Sequence, residues 1–213
     1  MSDTRPITRA QVDEVAAVLG RAFVDNPAYR AILASFSDEA RLRAVERIKR
    51  GFTRAAVDHQ VAEAIHRDGR IAGASLVCDP GQYPPTLLAK IRQASGCATL
   101  GPRAIRNLLV IDSVMSKRHL KEPHFYLFVL GVDPAFQGRG IGKALLHRLN
   151  ARADAAGRPC FLETDKETSV RLYESVGYEV VGEERVAKLD GARFWFMKRA
   201  TRRGVQRSPT DAI

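Results

Sequence analysis

No apolar run in these 213 residues approaches the roughly 20 needed to cross a bilayer. The first ten residues, MSDTRPITRA, lack the apolar core of a signal peptide. A cytoplasmic protein is expected. Cysteine is scarce: Cys78, Cys97 and Cys160 stand far apart, in no C-x-x-C or His/Cys spacing. That argues against a disulfide framework and against a metal module. Cys160 falls in a predicted core strand, where a free thiol packs as a small hydrophobe. There is no internal repeat, and no low-complexity segment before the last dozen residues. No DNA- or RNA-reading motif appears either.

What is present is ordinary globular composition, 45% hydrophobic and 27% charged, enough to bury a real core. The balance is basic, with a net charge of +10. Arg41, Arg43, Arg47, Lys49, Arg50 and Arg54 cluster in one helical stretch. Lys198, Arg199, Arg202, Arg203 and Arg207 crowd the C-terminal end. Such charge favours anionic partners, but a solvated helix face and a disordered tail at 201–213 are the expectation here. No specific nucleic-acid partner and no membrane partner is expected.

The most informative stretch is 124–143, HFYLFVLGVDPAFQGRGIGK. An apolar strand ends at Val132, Asp133-Pro134 turns, and Gly138, Gly140 and Gly142 follow at alternate positions. A helical pattern then begins with Ile141, Leu145 and Leu149 on one face. A strand turning through glycines into a helix start makes an anion cradle. The first-turn N–H groups lack intrahelical partners and the helix dipole adds positive charge there. The spacing is not G-x-G-x-x-G, because no glycine follows Gly142 until Gly157. It is not a P-loop either, since position 137 is Gln and position 144 is Ala.

Along the rest of the chain, residues 5–9 read as a first strand and 11–23 as an amphipathic helix with Val12, Val15, Ala16, Leu19 and Phe23. A second helical region reaches about 57. Strands 61–66 and 70–78 flank Asp68-Gly69, a hairpin turn. Two helical pieces split by Gly101-Pro102 fill 86–120. This block interrupts consecutive strands and is expected to form a lid or wall over the site. A central strand over 123–132 follows, in which Gly131 suggests a bulge or a close backbone approach. Then come a helix from 139 to Gly157, a strand at 159–164, a helix at 167–176, and two strands around Asp190-Gly191. That order predicts an α/β (α+β) fold, a mixed central sheet of about seven strands flanked by helices. A single domain over 1–200, with a helical insertion at about 80–122, is expected.

The string Q-G-R-G-I-G closely resembles the acyl-CoA pyrophosphate loop of the GCN5-related N-acetyltransferase (GNAT) family, written Q/R-x-x-G-x-G/A and filled here by Gln137, Gly140 and Gly142. FLETDKETSVRLYESVGYEV, residues 161–180, looks like the family's second block, with Tyr173, Gly177 and Tyr178 at its marked positions. The chain is most similar to puromycin N-acetyltransferase-like members, strongly over 121–183 and loosely elsewhere. The resemblance implies the family's fold, acetyl-CoA as co-substrate and direct acetyl transfer. It does not imply puromycin as the acceptor.

By the same resemblance, amides from Gln137 through Gly138, Arg139, Gly140, Ile141 and Gly142 to Lys143 would bind the diphosphate. Leu130 and Val132 would align the pantetheine arm, and an N–H near Gly131 would hold the thioester oxygen. Tyr173 would be the acid for the departing thiolate, unless it merely covers the core on the Val170–Val176 stripe. Many members carry a Glu in the strand before the glycine loop, and this chain has no carboxylate there. Glu163 is the best substitute as general base. Asp165 and His124 are weaker ones, and a water chain with no single base is equally open. Lys166 replaces a frequent Asn and could meet a phosphate. The expected acceptor is the amine of a small molecule, antibiotic-like or metabolite. Phe23, Tyr29, Phe125, Tyr126 and Trp195 are candidate cleft aromatics. The alternatives are a degenerate acyl-CoA-binding sensor and, less in keeping with the loop, a nucleic-acid-associated protein.

Overall fold

A computed structural model describes residues 3–59 and 61–201. Of the expected tail at 201–213, residues 202–213 lie outside the described residues. Seven strands form one sheet in the order β1-β2-β3-β4-β5-β7-β6. They are β1 (Asp3–Pro6), β2 (Val61–Arg67), β3 (Arg70–Cys78), β4 (Phe125–Val132), β5 (Cys160–Thr164), β6 (Glu179–Val186) and β7 (Ala192–Arg199). The α/β expectation holds, with the β2–β3 turn on Asp68 and Gly69 and the β6–β7 turn on Asp190 and Gly191, all at positive φ.

The helices are α1 (Val12–Phe23), α2 (Pro27–Ile32), α3 (Asp38–His59), α4 (Leu87–Ser95), α5 (Gly101–Arg118), α6 (Ile141–Ala155) and α7 (Glu167–Glu174). The single helical region expected before residue 57 is two helices, α2 and α3. α1 covers one sheet face, where Val15, Val18 and Leu19 pack with Ala74, Leu76 and Val129. α6 and α7 cover the other, where Leu146, Leu149, Val170 and Tyr173 pack with Phe125, Leu127 and Leu162. Burying apolar surface on both faces supplies the driving force, at roughly 25 cal/mol per Å².

β4 and β5 are the one parallel pair, and they are in register only from Phe125–Cys160 to Leu127–Leu162. Beyond that β4 runs on to Val132 without a β5 partner. The sheet therefore splits in its middle, and the backbone groups lining the split have no ladder to satisfy them.

Two expectations change. The irregularity in β4 is at Phe128, the extra residue between Leu127 and Val129 where they pair with Val77 and Leu76. Gly131 sits in regular pairing with Ala74 and serves the other purpose, close approach. A Cβ there would lie 2.6 Å from Leu19 Cδ2 and 3.0 Å from Phe23 Cε2. The 80–122 block puts no residue into the cleft described below, but Tyr83 and His119 stand behind Glu163 as a wall. α4 stacks on the outer side of α3, with Gly51 and Gly96 at the contact. α5 packs Val110, Ile111, Val114 and Met115 against the β5–β7 end of the sheet.

Candidate active site

The split opens into a cleft of about 530 Å³. One wall is β4 from Leu127 to Val132, and the second is the turn from Phe136 into α6. β5 and α7 supply Glu163 to Lys166, Thr168, Ser169, Leu172 and Tyr173. The α1 end closes it with Ala22, Phe23 and Asn26.

The turn is built locally. Asp133 Oδ1 accepts from the Ala135 amide at 3.0 Å, and its Oδ2 takes two bonds from Arg21. Gln137 Nε2 donates back to the Val132 carbonyl at 3.1 Å, tying strand end to loop. Gly138 and Gly140 have φ of 75° and 76°, and a Cβ on either would meet nothing within 4 Å. These glycines are present for backbone conformation and open space, not for packing. The first helical bond of α6 is from the Ala144 amide to the Gly140 carbonyl. The amides of Ile141, Gly142 and Lys143 are therefore the unpaired first-turn donors. An open ring of N–H groups at a positive dipole end, with Lys143 and Lys166 on the cleft wall, fits an anionic diphosphate.

The residues expected to hold the cofactor, together with Glu163 and Tyr173, all line this cleft except Arg139. Its guanidinium lies over the Phe136 ring at 5.4 Å. Leu130, Gly131 and Val132 are on the β4 wall. Gln137, Gly138, Gly140, Ile141, Gly142 and Lys143 form the turn and helix start. Glu163 and Lys166 come from β5 and its exit, and Tyr173 from α7.

Tyr173 is buried. Burial first, then the Asp165 carboxylate, raises its phenol well above the ordinary value. The Glu163 side chain is also buried, and burial raises its carboxyl, resisted by the neighbouring His119 and Tyr126 side chains. The two weaker base candidates are otherwise engaged. Asp165 accepts from Asn26 Nδ2 at 3.1 Å and from the Ala28 amide at 2.8 Å, stitching the α1–α2 junction to the end of β5. His124 stands behind His119, one ring further from Glu163. Of the expected cleft aromatics, Phe23 alone lines it, joined by Phe128, Phe136 and Tyr173. Cys160 is fully buried, and burial raises its thiol to about 11, which suits an inert core residue.

The basic cluster on α3 is not wholly a solvated face. Arg41 and Lys49 are buried. Lys49 Nζ sits 3.5 Å above the Phe23 ring and 5.0 Å from that of Tyr29. Burial lowers its amine to about 7, with Asp165 opposing. The signal was present: Lys49 is i+4 from Val45 and i−3 from Phe52, on the apolar stripe itself. His119 was also missed, since nothing local in sequence marks a residue after a helical insertion as a neighbour of β5.

A mixed sheet that opens at its one parallel pair beside a glycine turn and helix start has the fold of the solved acetyltransferase structure named below. Residues 113–200 match the family model for the acetyltransferase (GNAT) domain. Over 78 residues the chain is 41% identical to the N-alpha-acetyltransferase RimI of Mycobacterium tuberculosis, covering 35% of this chain and 48% of that protein. Over 63 residues it is 40% identical to a mycothiol acetyltransferase of Mycolicibacterium gilvum, covering 26% and 21%. The chain spans less than half the length of these curated relatives. A solved Corynebacterium glutamicum structure, described as histone acetyltransferase HPA2 and related acetyltransferase, superposes with a TM-score of 0.70 at 19% identity. It covers 96% of this chain and 98% of its own, a likeness of fold. No helix among the described residues is long and apolar enough to cross a membrane.

Proposed function

We propose that the protein is an acetyl-CoA-dependent N-acetyltransferase acting on the amine of a small molecule, antibiotic-like or metabolite, by direct attack in a ternary complex. The observation that carries this is the cleft. It joins an open cradle of backbone donors at one end to two buried ionisable groups, Glu163 and Tyr173, along the stretch of β4 that pairs with β3 but has no β5 partner. Bound there, acetyl-CoA would supply an activated acetyl group as its thioester.

The chain's own residues do the rest. Amides from Gln137 to Lys143, excluding any contribution from the Arg139 side chain, hold the diphosphate with Lys143 and Lys166. Main-chain groups of Leu130 and Val132 align the arm as an added strand would. Gly131 brings α1 close and so fixes the wall against which the thioester is held. A β4 amide near it offers an oxyanion-type donor, a kind whose loss costs about 2.7–4 kcal/mol elsewhere. Glu163 takes the proton of the attacking amine and Tyr173 protonates the leaving thiolate. Fixing both reactants in one cleft supplies much of the rate, with effective molarities of about 10⁵ M or more in good cases.

A small acceptor suits the confined cleft and the name of the mycothiol acetyltransferase. The RimI name points instead to a protein α-amine, and the resemblance to puromycin N-acetyltransferase-like members to an antibiotic. The test is thiol release from acetyl-CoA with a panel of small amines and a peptide with a free N-terminus. Turnover with small amines supports the reading. Turnover with the peptide alone would redirect it, and thermal stabilisation by coenzyme A without any turnover would replace it with a sensor.

A further inference from the structure

Glu163 turns into a buried cluster that the scheme above leaves unused. His119, just past the end of α5, stacks on Tyr83 with ring centres 3.5 Å apart, and meets Tyr126 and Phe161 edge-on. Its side chain is 5% exposed, against 8% for that of Glu163. His124 lies alongside, its Nε2 3.0 Å from the His119 Nε2.

The hydrogen inventory of this cluster is forced. His124 Nδ1 is 2.7 Å from the Glu122 carbonyl oxygen, which can only accept. The proton of His124 is therefore on Nδ1, and in a neutral ring its Nε2 is bare. The facing His119 Nε2 must then donate. A neutral His119 so fixed has a bare Nδ1, and that atom is 3.9 Å from Glu163 Oε1. Both of these atoms are buried and have no hydrogen-bond partner. Two lone pairs thus face one another, each a buried orphan that weakens the fold until it is satisfied. A single added proton satisfies both.

We propose that Glu163 and His119 form a one-proton trap for the acceptor amine, with His124 a positioning residue that fixes the His119 tautomer. The proposal rests on the N-acetyltransferase reading and assigns its base. The amine nitrogen forms a bond to the thioester carbonyl carbon and the carbon–sulfur bond breaks. The proton lost by nitrogen passes to Glu163 Oε1 and is shared with His119 Nδ1, while the thiolate takes the Tyr173 hydroxyl proton. The trap then discharges to water in the cleft and Tyr173 takes a proton up, so the protein returns to its starting state. With the extra proton in place, His119 donates from both ring nitrogens, to Glu163 and to His124.

The surroundings agree. Glu163 is faced by His119 from the α5 end, by Tyr126 from β4 and by Tyr83 from the 79–85 loop. His124 is faced by His119, Glu122 and Lys198; burial lowers its imidazole against the bond to the Glu122 carbonyl, and a proton on His119 lowers it further. Asp165 cannot serve in the same way, because both its oxygens already accept bonds.

The test has two arms on the full chain. Imidazole nitrogen shifts at neutral pH should show His119 protonated on Nε2 and His124 on Nδ1. The opposite tautomer at either ring overturns the trap. In the kinetic arm, the best amine of the panel is assayed across pH with wild type, Glu163→Gln, His124→Phe and His124→Gln, each checked for an unchanged circular dichroism spectrum. Glu163→Gln should lose about a hundredfold or more in kcat. His124→Phe should lose about tenfold and shift the acid limb of the pH profile, with KM for acetyl-CoA unmoved. His124→Gln, whose side-chain oxygen can accept from His119, should recover most of that loss. Identical pH profiles in all four proteins overturn the proposal. If wild type acetylates no amine, the N-acetyltransferase reading fails and the tautomers alone decide whether the trap exists.

Discussion

Tyr173 reads both ways in the sequence, on a packing stripe and at a catalytic position, and the structure gives it both surroundings. It packs with Val170 and Val176 and still lines the cleft. Its raised phenol is protonated at any working pH, so it stands as a donor. Tyr173→Phe keeps the ring and removes the proton. The expected result is a fall in kcat of about 10²–10⁴ with coenzyme A affinity unchanged by calorimetry. Lys49 makes the contrasting case. Its amine falls to about 7 from 10.5, so between those values the unfolded chain holds a proton that the folded chain does not. Stability therefore rises with pH across that window. Lys49→Met should melt higher than wild type at pH 7, and the advantage should shrink as the pH approaches 10.5. Curves that stay parallel would show that the aromatic rings around Nζ fully offset its burial. The side chains that sequence pattern could place were those tied to a motif. Lys49 was legible as a cation on the apolar stripe of its helix, whereas His119 owes its role to contacts across the fold, which a local pattern does not encode.

Elements were more legible than their fine structure. Glycine and Asp-Gly punctuation located both hairpins and the start of α6, because positive φ is a local requirement with a residue signature. Of the two readings offered for Gly131, close approach holds and the bulge falls at Phe128 instead, because a bulge is a property of register with β3 and not of β4 alone. Two substitutions test the elements that frame the cleft. Gly140→Glu puts a side chain and a negative charge at φ 76° in the cradle, and should abolish stabilisation by coenzyme A in a thermal melt. Gly131→Ala drives a methyl into Leu19 and Phe23. It should cost about 1–3 kcal/mol in urea unfolding, since backbone and α1 must separate to admit it.

At the scale of the whole molecule the sheet is two halves hinged on three parallel pairs, held across the split by side chains from distant parts of the chain. Asp165 ties β5 to α2, and Arg199 on β7 makes a two-point pair with Asp154 on α6 at 2.7 and 2.8 Å. Asp165→Ala releases Asn26 and the α2 start together. It should raise KM for the amine while leaving the affinity for acetyl-CoA intact, because the glycine turn is on the other wall. The order of elements made the fold class legible in advance. The split itself was not, because strand length beyond a parallel register becomes visible only once the pairing is known.

The extra residue in β4 also acts as a half-turn in the chain. Before it, Phe125 and Leu127 point toward α6; after it, the even-numbered Leu130 and Val132 do, while Val129 joins α1. Removing Phe128 would restore strict alternation and leave both sets on the faces they already hold, Val129 and Gly131 toward α1 and Leu130 and Val132 toward α6. What the strand would lose is the local bend and added twist of the bulge, next to the point where β5 parts from it. A protein shortened by that one residue should keep its fold in a thermal melt and bind coenzyme A more weakly, because the strand end that carries the glycine turn is re-aimed.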